Sequence, residues 1–245
     1  NALPAEQCVI REVSALKARI KFRKYGIMKF IGHLDVMRYF QKAMRRADIP
    51  IAFTKGFSPH MIMSFANPLG VGLTSDGEYF DIELIRPLAS RDAIQRLNAV
   101  MADGIEIINF VQIPEDKKST GMSIIEAADY LVFPKDGKFP VSSEDLVAFL
   151  SSEEILVVKQ TKKSEKEVNI RPWILELEQR ENSLFLKVRA GSSVHLQPQL
   201  VVSALLHKSR VDKDGEQDFR YHRLENYAVK DEQLVALDAL GTEIL

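Results

Sequence analysis

Two changes of hydrophobic period, each occurring twice, constrain this chain more than any other feature. Residues 18–25, ARIKFRKY, alternate apolar and basic side chains. That is the period-two pattern of a half-buried strand, with Ile20 and Phe22 facing inward and Lys21 and Arg23 forming a positive outer face. Residues 27–31 read as an extension of it. After Gly32 and His33 the period lengthens: Leu34, Met37, Phe40, Gln41 and Met44 recur at helical spacing, with Arg38, Lys42, Arg45 and Arg46 on the other face. Asp48-Ile49-Pro50 ends that helix. Short strands are expected at 51–54 and 61–65, separated by the Gly- and Pro-marked loop 55–60, and residues 68–72 make a further turn. Residues 78–85, EYFDIELI, alternate again, which puts Asp81 and Glu83 on one strand face, read as solvated, with a metal site or acid–base work as the alternative. Ser90 caps a helix running to Met101, Gly104 ends it, and 105–113 is a closing strand.

The order is β-α-β-β-(β)-α-β, and it recurs. Strands are expected at 128–133, 155–161, 168–177, 183–189 and 224–229, with helices after Ser142 or Ser143 and over 198–206. The expectation is an α+β chain of two ferredoxin-like (βαββαβ) halves, antiparallel sheets with helices packed on one face. The boundaries follow: an N-terminal extension at 1–17, a basic first domain at 18–114, a linker at 115–123, a second domain at 124–230 and a tail at 231–245, with 232–245 read as a short amphipathic helix. No identity recurs at a fixed period, so the repetition is one of architecture.

Composition enters through its unevenness. The whole chain of 245 residues carries a formal charge of −1, yet between Arg19 and Met63 ten residues are basic and only Asp35 and Asp48 are acidic. That stretch carries about +8 and interleaves seven aromatic residues, the combination an anionic, base-bearing ligand favours. The single cysteine, Cys8, excludes an internal disulfide framework, a cysteine zinc site and a three-cysteine iron–sulfur site. It fits a reducing, cytoplasmic compartment. No apolar run approaches the roughly 20 residues that span a bilayer, so no membrane association is expected. The chain opens on Asn1, which fits a trimmed chain or a piece of a longer polypeptide.

The candidate binding residues are Lys21, Arg23, His33, Arg38, Lys42, Arg45, Arg46, Lys55, Gly56, Phe57, His60 and Arg171. His33, at the start of the basic helix, suits phosphate binding or general acid–base work, and it is the one candidate catalyst; a packing histidine is the alternative. Arg38 and Lys42 are four apart, as are Lys42 and Arg46, and like charges at that spacing repel by a few tenths of a kcal/mol. Such a helix is relieved by a polyanion or simply faces water. In loop 55–60, Gly56 permits close backbone approach, Lys55 and His60 supply charge, and Phe57 either stacks a base or fills the core. Around Asn169–Trp173, Arg171 suits a phosphate, while Trp173 reads as a core anchor; the preceding run holds Lys159, Lys162, Lys163 and Lys166. Gly70, Gly72 and Gly77 form no phosphate-binding motif and read as turns. The five histidines have no paired metal spacing.

Four segments, GIMKFIGHLDVMRYFQKAMRRADIPIAFTKGFSPH, MSFANPLGVGLTSDGEYFDIEL, KEVNIRPWI and RYHRLENY, resemble a bacterial family of radical-SAM-linked proteins of unknown function. The resemblance runs from about Arg19 to about Tyr227. It departs at Gly32, where relatives tend to have Ser, and at Asn169, where they tend to have Asp; a catalytic role for that aspartate is put in doubt here. The resemblance implies a partner or fused radical SAM enzyme with a cobalamin-type domain, and gene neighbours such as ribonuclease G and ribosomal protein components. No catalytic residue comes with it. Three functional classes stand: a non-catalytic RNA-binding and partner-docking module with no cofactor of its own; a metal-independent endoribonuclease using His33 with Lys55 or His60, by analogy with CRISPR-repeat endoribonucleases of tandem ferredoxin-like fold; and a protein-interaction scaffold.

Overall fold

The computed structural model describes residues 16–135, 137–160, 165–211 and 219–245. Cys8, most of the N-terminal extension, and Lys162 and Lys163 lie outside them.

The first strand, β1 (Leu16–Lys24), forms where the alternation is expected, and its apolar set Ala18, Ile20 and Phe22 is buried. The continuation does not extend. Residues Gly26–Phe30 make a 3₁₀ turn instead, because the neighbouring strand starts opposite Lys24 and offers no ladder partner beyond it. Helix α1 (His33–Arg46) buries Val36, Phe40, Ala43 and Met44. In place of two full strands, Ile51 bridges Leu84 and Phe53 bridges Met61 in isolation, and β2 begins later (Met63–Ala66). Next come β3 (Thr74–Leu84), α2 (Ser90–Asn98) and β4 (Ile105–Ile113). Ser90 is the first helical residue rather than the cap, and its hydroxyl accepts from the Ile244 amide.

The second half runs α3 (Gly121–Ile124), β5 (Ile125–Pro134), α4 (Ser143–Leu150), the hairpin β6 (Leu156–Gln160) and β7 (Glu165–Asn169), β8 (Ile174–Arg180), β9 (Ser183–Arg189), α5 (Pro198–Lys208), β10 (Phe219–Lys230) and β11 (Gln233–Ala236). Ser142 caps α4 in a reciprocal box with Asp145. The strand expected over 168–177 is broken by a 3₁₀ turn at Arg171–Trp173, where Pro172 cannot donate to a ladder. The expected terminal helix is absent. Asp231 and Glu232, both at positive φ, reverse the chain so that β11 pairs back onto β10, and a 3₁₀ turn at Leu237–Leu240 follows.

Among the described residues this is a mixed chain of five helices and one nine-stranded, predominantly antiparallel sheet, β4-β1-β3-β10-β5-β9-β8, with β2 on β3 and β11 on β10. The parallel step is β3 to β10. Two cores form, one around Phe22, Phe40, Phe65 and Phe80, the other around Tyr130, Phe149, Leu186 and Val202. The stretch read as a linker is packed: the Ser119 carbonyl accepts from Arg19 and the Gly121 amide donates to Asp81. No helix among the described residues is long and apolar enough to cross a membrane.

Candidate nucleic-acid interface

The cations of β1 and of α1 meet opposite fates. On β1 the outward-alternating side chains each meet a carboxylate of the fold, Arg19 and Lys21 largely out of solvent and Arg23 at the surface. Arg19, 1 % exposed, forks onto Asp81 at 2.8 and 3.0 Å and donates to the carbonyls of Ser119 and Leu237. Asp81 is therefore a buried ion-pair partner and not, as its alternation with Phe80 and Ile82 suggests, on a solvated face. Lys21 bonds Glu225 and lies 3.8 Å from Asp238. Arg23 pairs with Asp76 at 3.1 Å and Glu106 at 3.4 Å. The positive outer face expected of β1 is thus neutralised residue by residue, because sheet register sets a carboxylate beside each cation. Lys24 ends the strand buried, donating to the Ile31 carbonyl. Burial holds its amine below its ordinary value, with Glu78 opposing and Arg223 reinforcing.

On α1 the buried stripe at positions 36, 40, 43 and 44 leaves the opposite side to solvent. At 3.6 residues per turn, Arg38, Lys42 and Arg45 fall within one sector of about 60°, and all three are exposed. Arg38 touches Asp35 at 3.4 Å, a pair open to water on both sides, so it contributes little. Among the described residues no carboxylate lies within ion-pair distance of Lys42, Arg45 or Lys55. Arg46 donates to the Val100 carbonyl. Arg45 and Arg46 also sit in the last helical turn, where the macrodipole favours cations.

Loop 55–60 is wholly exposed. Gly56 has φ +115, with nothing near its absent Cβ, and Phe57 stands entirely in solvent, more open than a reference residue at 111 %. The core-filling alternative for Phe57 does not hold. The loop's ends are tied by His60, whose amide donates to Thr54 Oγ1 at 3.1 Å and whose Nδ1 also contacts that hydroxyl.

His33 begins α1, half-buried, its ring edge-on to Phe65 at 5.4 Å. Burial, reinforced by the Lys24 charge, lowers its pKa, which favours the neutral ring over a phosphate-binding cation near neutral pH. Among the described residues no hydrogen bond joins it to Lys55 or His60. Arg171 lies elsewhere, its guanidinium directed at the carbonyls of Leu150, the last residue of α4, and Ile174. That is a helix C-terminal cap. Asn169 closes the same turn, its Oδ1 accepting from the amides of Ile155 and Arg171, each at 3.0 Å. An aspartate oxygen has the same acceptor capacity. Trp173 packs against the second core.

The residues that sequence reasoning left without a role are those of RYHRLENY on β10. Arg223 donates to Glu78 at 2.9 Å, to the Asn67 carbonyl at 2.7 Å and to Tyr130; Glu225 accepts from Lys21 and Tyr79; Asn226 meets Asn67 and the Gly77 carbonyl; His222 contacts Thr74 and Asp76; Tyr227 donates to Asp129. Gly77 is required here, since a Cβ would stand 2.6 Å from Glu225 Oε1 and 2.8 Å from its Cα. The available signal was the density of hydrogen-bonding residues in one strand, which here is flanked by strands on both sides.

No curated protein matches the chain. Among solved structures it is similar to a chain of the crystal structure of a Cbf5-Nop10-Gar1 complex, with 10 % identity and a TM-score of 0.40 over 85 % of this chain and 48 % of that one. The present chain thus spans about half the length of that relative. A family model, in contrast, matches residues 17–198 continuously, across β1, α1, loop 55–60 and the turn at Asn169. The chain belongs to the family of uncharacterized proteins conserved in bacteria, DUF2344.

Proposed function

We propose that this chain is a non-catalytic RNA-binding module that works beside a radical SAM enzyme. One contrast carries the RNA part: the outward cations of β1, Arg19, Lys21 and Arg23, are each paired with a carboxylate of the fold, whereas Arg38, Lys42, Arg45 and Lys55 stand in water and, among the described residues, only Arg38 has a carboxylate within ion-pair distance, that of Asp35. Residues held at repelling spacing without internal counter-charge are relieved by a phosphate chain. The reading of two ferredoxin-like halves draws support from strand order. In β4-β1-β3-β2 the central strands β1 and β3 are the ones that lead into α1 and α2, and in β10-β5-β9-β8 the central strands β5 and β9 lead into α4 and α5. The radical SAM partner is inferred from the family resemblance; a single cysteine gives this chain no iron–sulfur ligand set of its own.

The test is the salt dependence of RNA binding. Reversing two charges, Lys42→Glu with Arg45→Glu, is expected to weaken binding of single-stranded RNA at least tenfold and to flatten the log–log salt slope by roughly 1.4, the loss of two phosphate contacts. Lys230→Glu, an exposed cation on β10, is the control and leaves both unchanged. Affinity indifferent to salt and to the double reversal overturns the reading.

A further inference from the structure

The exposed stripe of α1 does not begin with a charge. Leu34 lies four residues before Arg38 and so continues the same face, and it is 64 % exposed. Around it the 3₁₀ turn contributes Ile27 and Phe30, at 76 and 64 %, and the following loop contributes Val71 at 60 %. The pieces are adjacent: the Gly72 amide donates to the Lys29 carbonyl, and Val71 Cγ2 approaches the Cβ position of Gly32 at 4.0 Å. Beyond the other end of α1, the chain leads into a second outward-facing aromatic pair, Phe53 at 46 % and the fully exposed Phe57. Scattered apolar side chains on a surface are ordinary, but here one group adjoins the N-terminal end of the basic helix and the other follows that helix in the chain within eleven residues.

Cations alone suffice for a duplex, whose phosphates face outward and whose bases are hidden in the stack. Exposed rings beside those cations gain nothing from a duplex, whereas unpaired bases stack on them. Gly56 strengthens the point. Its left-handed backbone lets the loop present Phe57 outward between Lys55 and His60 rather than fold it inward. Lys29 already lies over one face of the Phe30 ring, 5.0 Å from its centroid, and a base stacked on the other face completes a sandwich.

We infer that the ligand of these residues is single-stranded RNA, held by phosphate contacts along α1 and by base stacking on Phe57 and Phe30. The inference rests on the RNA reading and adds strand selectivity to it. It is tested by fluorescence anisotropy on the full chain with two labelled probes of about 12 nucleotides at equal ionic strength, an unstructured RNA and a blunt RNA duplex. The unstructured RNA is expected to bind more tightly. Phe57→Ala should weaken it by about 5- to 100-fold, the loss of one stacked base, while leaving the duplex affinity unchanged; Phe57→Trp should restore it. Phe57 makes no core contact, so the thermal melt of either variant should match the parent. Equal affinity for the two probes together with an inert Phe57→Ala overturns strand selectivity and leaves the basic-face reading intact. Failure of both probes to bind removes both.

Discussion

Asp129 shows how a single buried carboxyl sets a pH dependence. It is 4 % exposed; its Oδ2 accepts from the Tyr227 hydroxyl at 2.8 Å, and among the described residues no well-formed hydrogen bond reaches its Oδ1. Burial pushes its pKa up, against the pull of the Tyr227 hydrogen bond and the Lys187 charge. A carboxyl with a raised folded-state pKa binds its proton more tightly folded than unfolded. It therefore costs nothing below the unfolded value and destabilises progressively as pH rises from there through the folded value. Asp129→Asn abolishes that loss. Urea midpoints followed from pH 4 to pH 8 should show the parent weakening relative to the variant as pH rises from the unfolded carboxyl value, with the variant at least as stable as the parent at pH 8. At the same scale, residue type alone separated Phe57 poorly from a core phenylalanine: a Phe in a Gly-Pro loop fits either environment, and contact with the rest of the chain decides.

Among the elements, the C-terminal segment departs furthest from its sequence pattern. Leu234, Leu237, Leu240 and Ile244 are spaced well enough for a helix, but the segment instead joins both cores. Leu237 is fully buried in the second, Ile244 is buried in the first, and Thr242 bridges Gln112 on β4. Asp238 adds hydrogen bonds from Tyr79 and Asn109. Leu237→Ala is expected to cost about 2–5 kcal/mol, read as a lower denaturant midpoint at unchanged slope. A cost below about 1 kcal/mol would mean that the segment is peripheral. Helix α1, by contrast, was legible in the sequence, because its buried stripe is long and periodic and Asp48-Ile49-Pro50 stops it. The 3₁₀ turn before it was not, since its apolar residues suit a strand equally and only the absence of a ladder partner excludes one.

Across the whole molecule, the seam between β3 and β10 is short and polar. Two residue pairs, His222–Thr74 and Arg223–Ser75, register the strands, and the buried Glu78–Arg223 pair, 4 and 3 % exposed, lies at its centre. Arg223→Ala leaves Glu78 buried without its direct ion-pair partner, an expected loss of about 3–5 kcal/mol. Because the lost contacts tie one core to the other, calorimetry should resolve the variant into two transitions where the parent melts in one; a single transition in both would assign the coupling to the C-terminal segment. The amino-acid sequence by itself determined the alternation of strands and helices in the first half, the basic face of α1 and the loop that follows it, because these depend on neighbours within a few residues. Which cations stay available was decided by tertiary structure alone. Arg19 finds Asp81 62 residues away and Lys21 finds Glu225 204 residues away, pairings set by sheet register, and register follows from how apolar faces pack over the whole chain rather than from any local pattern.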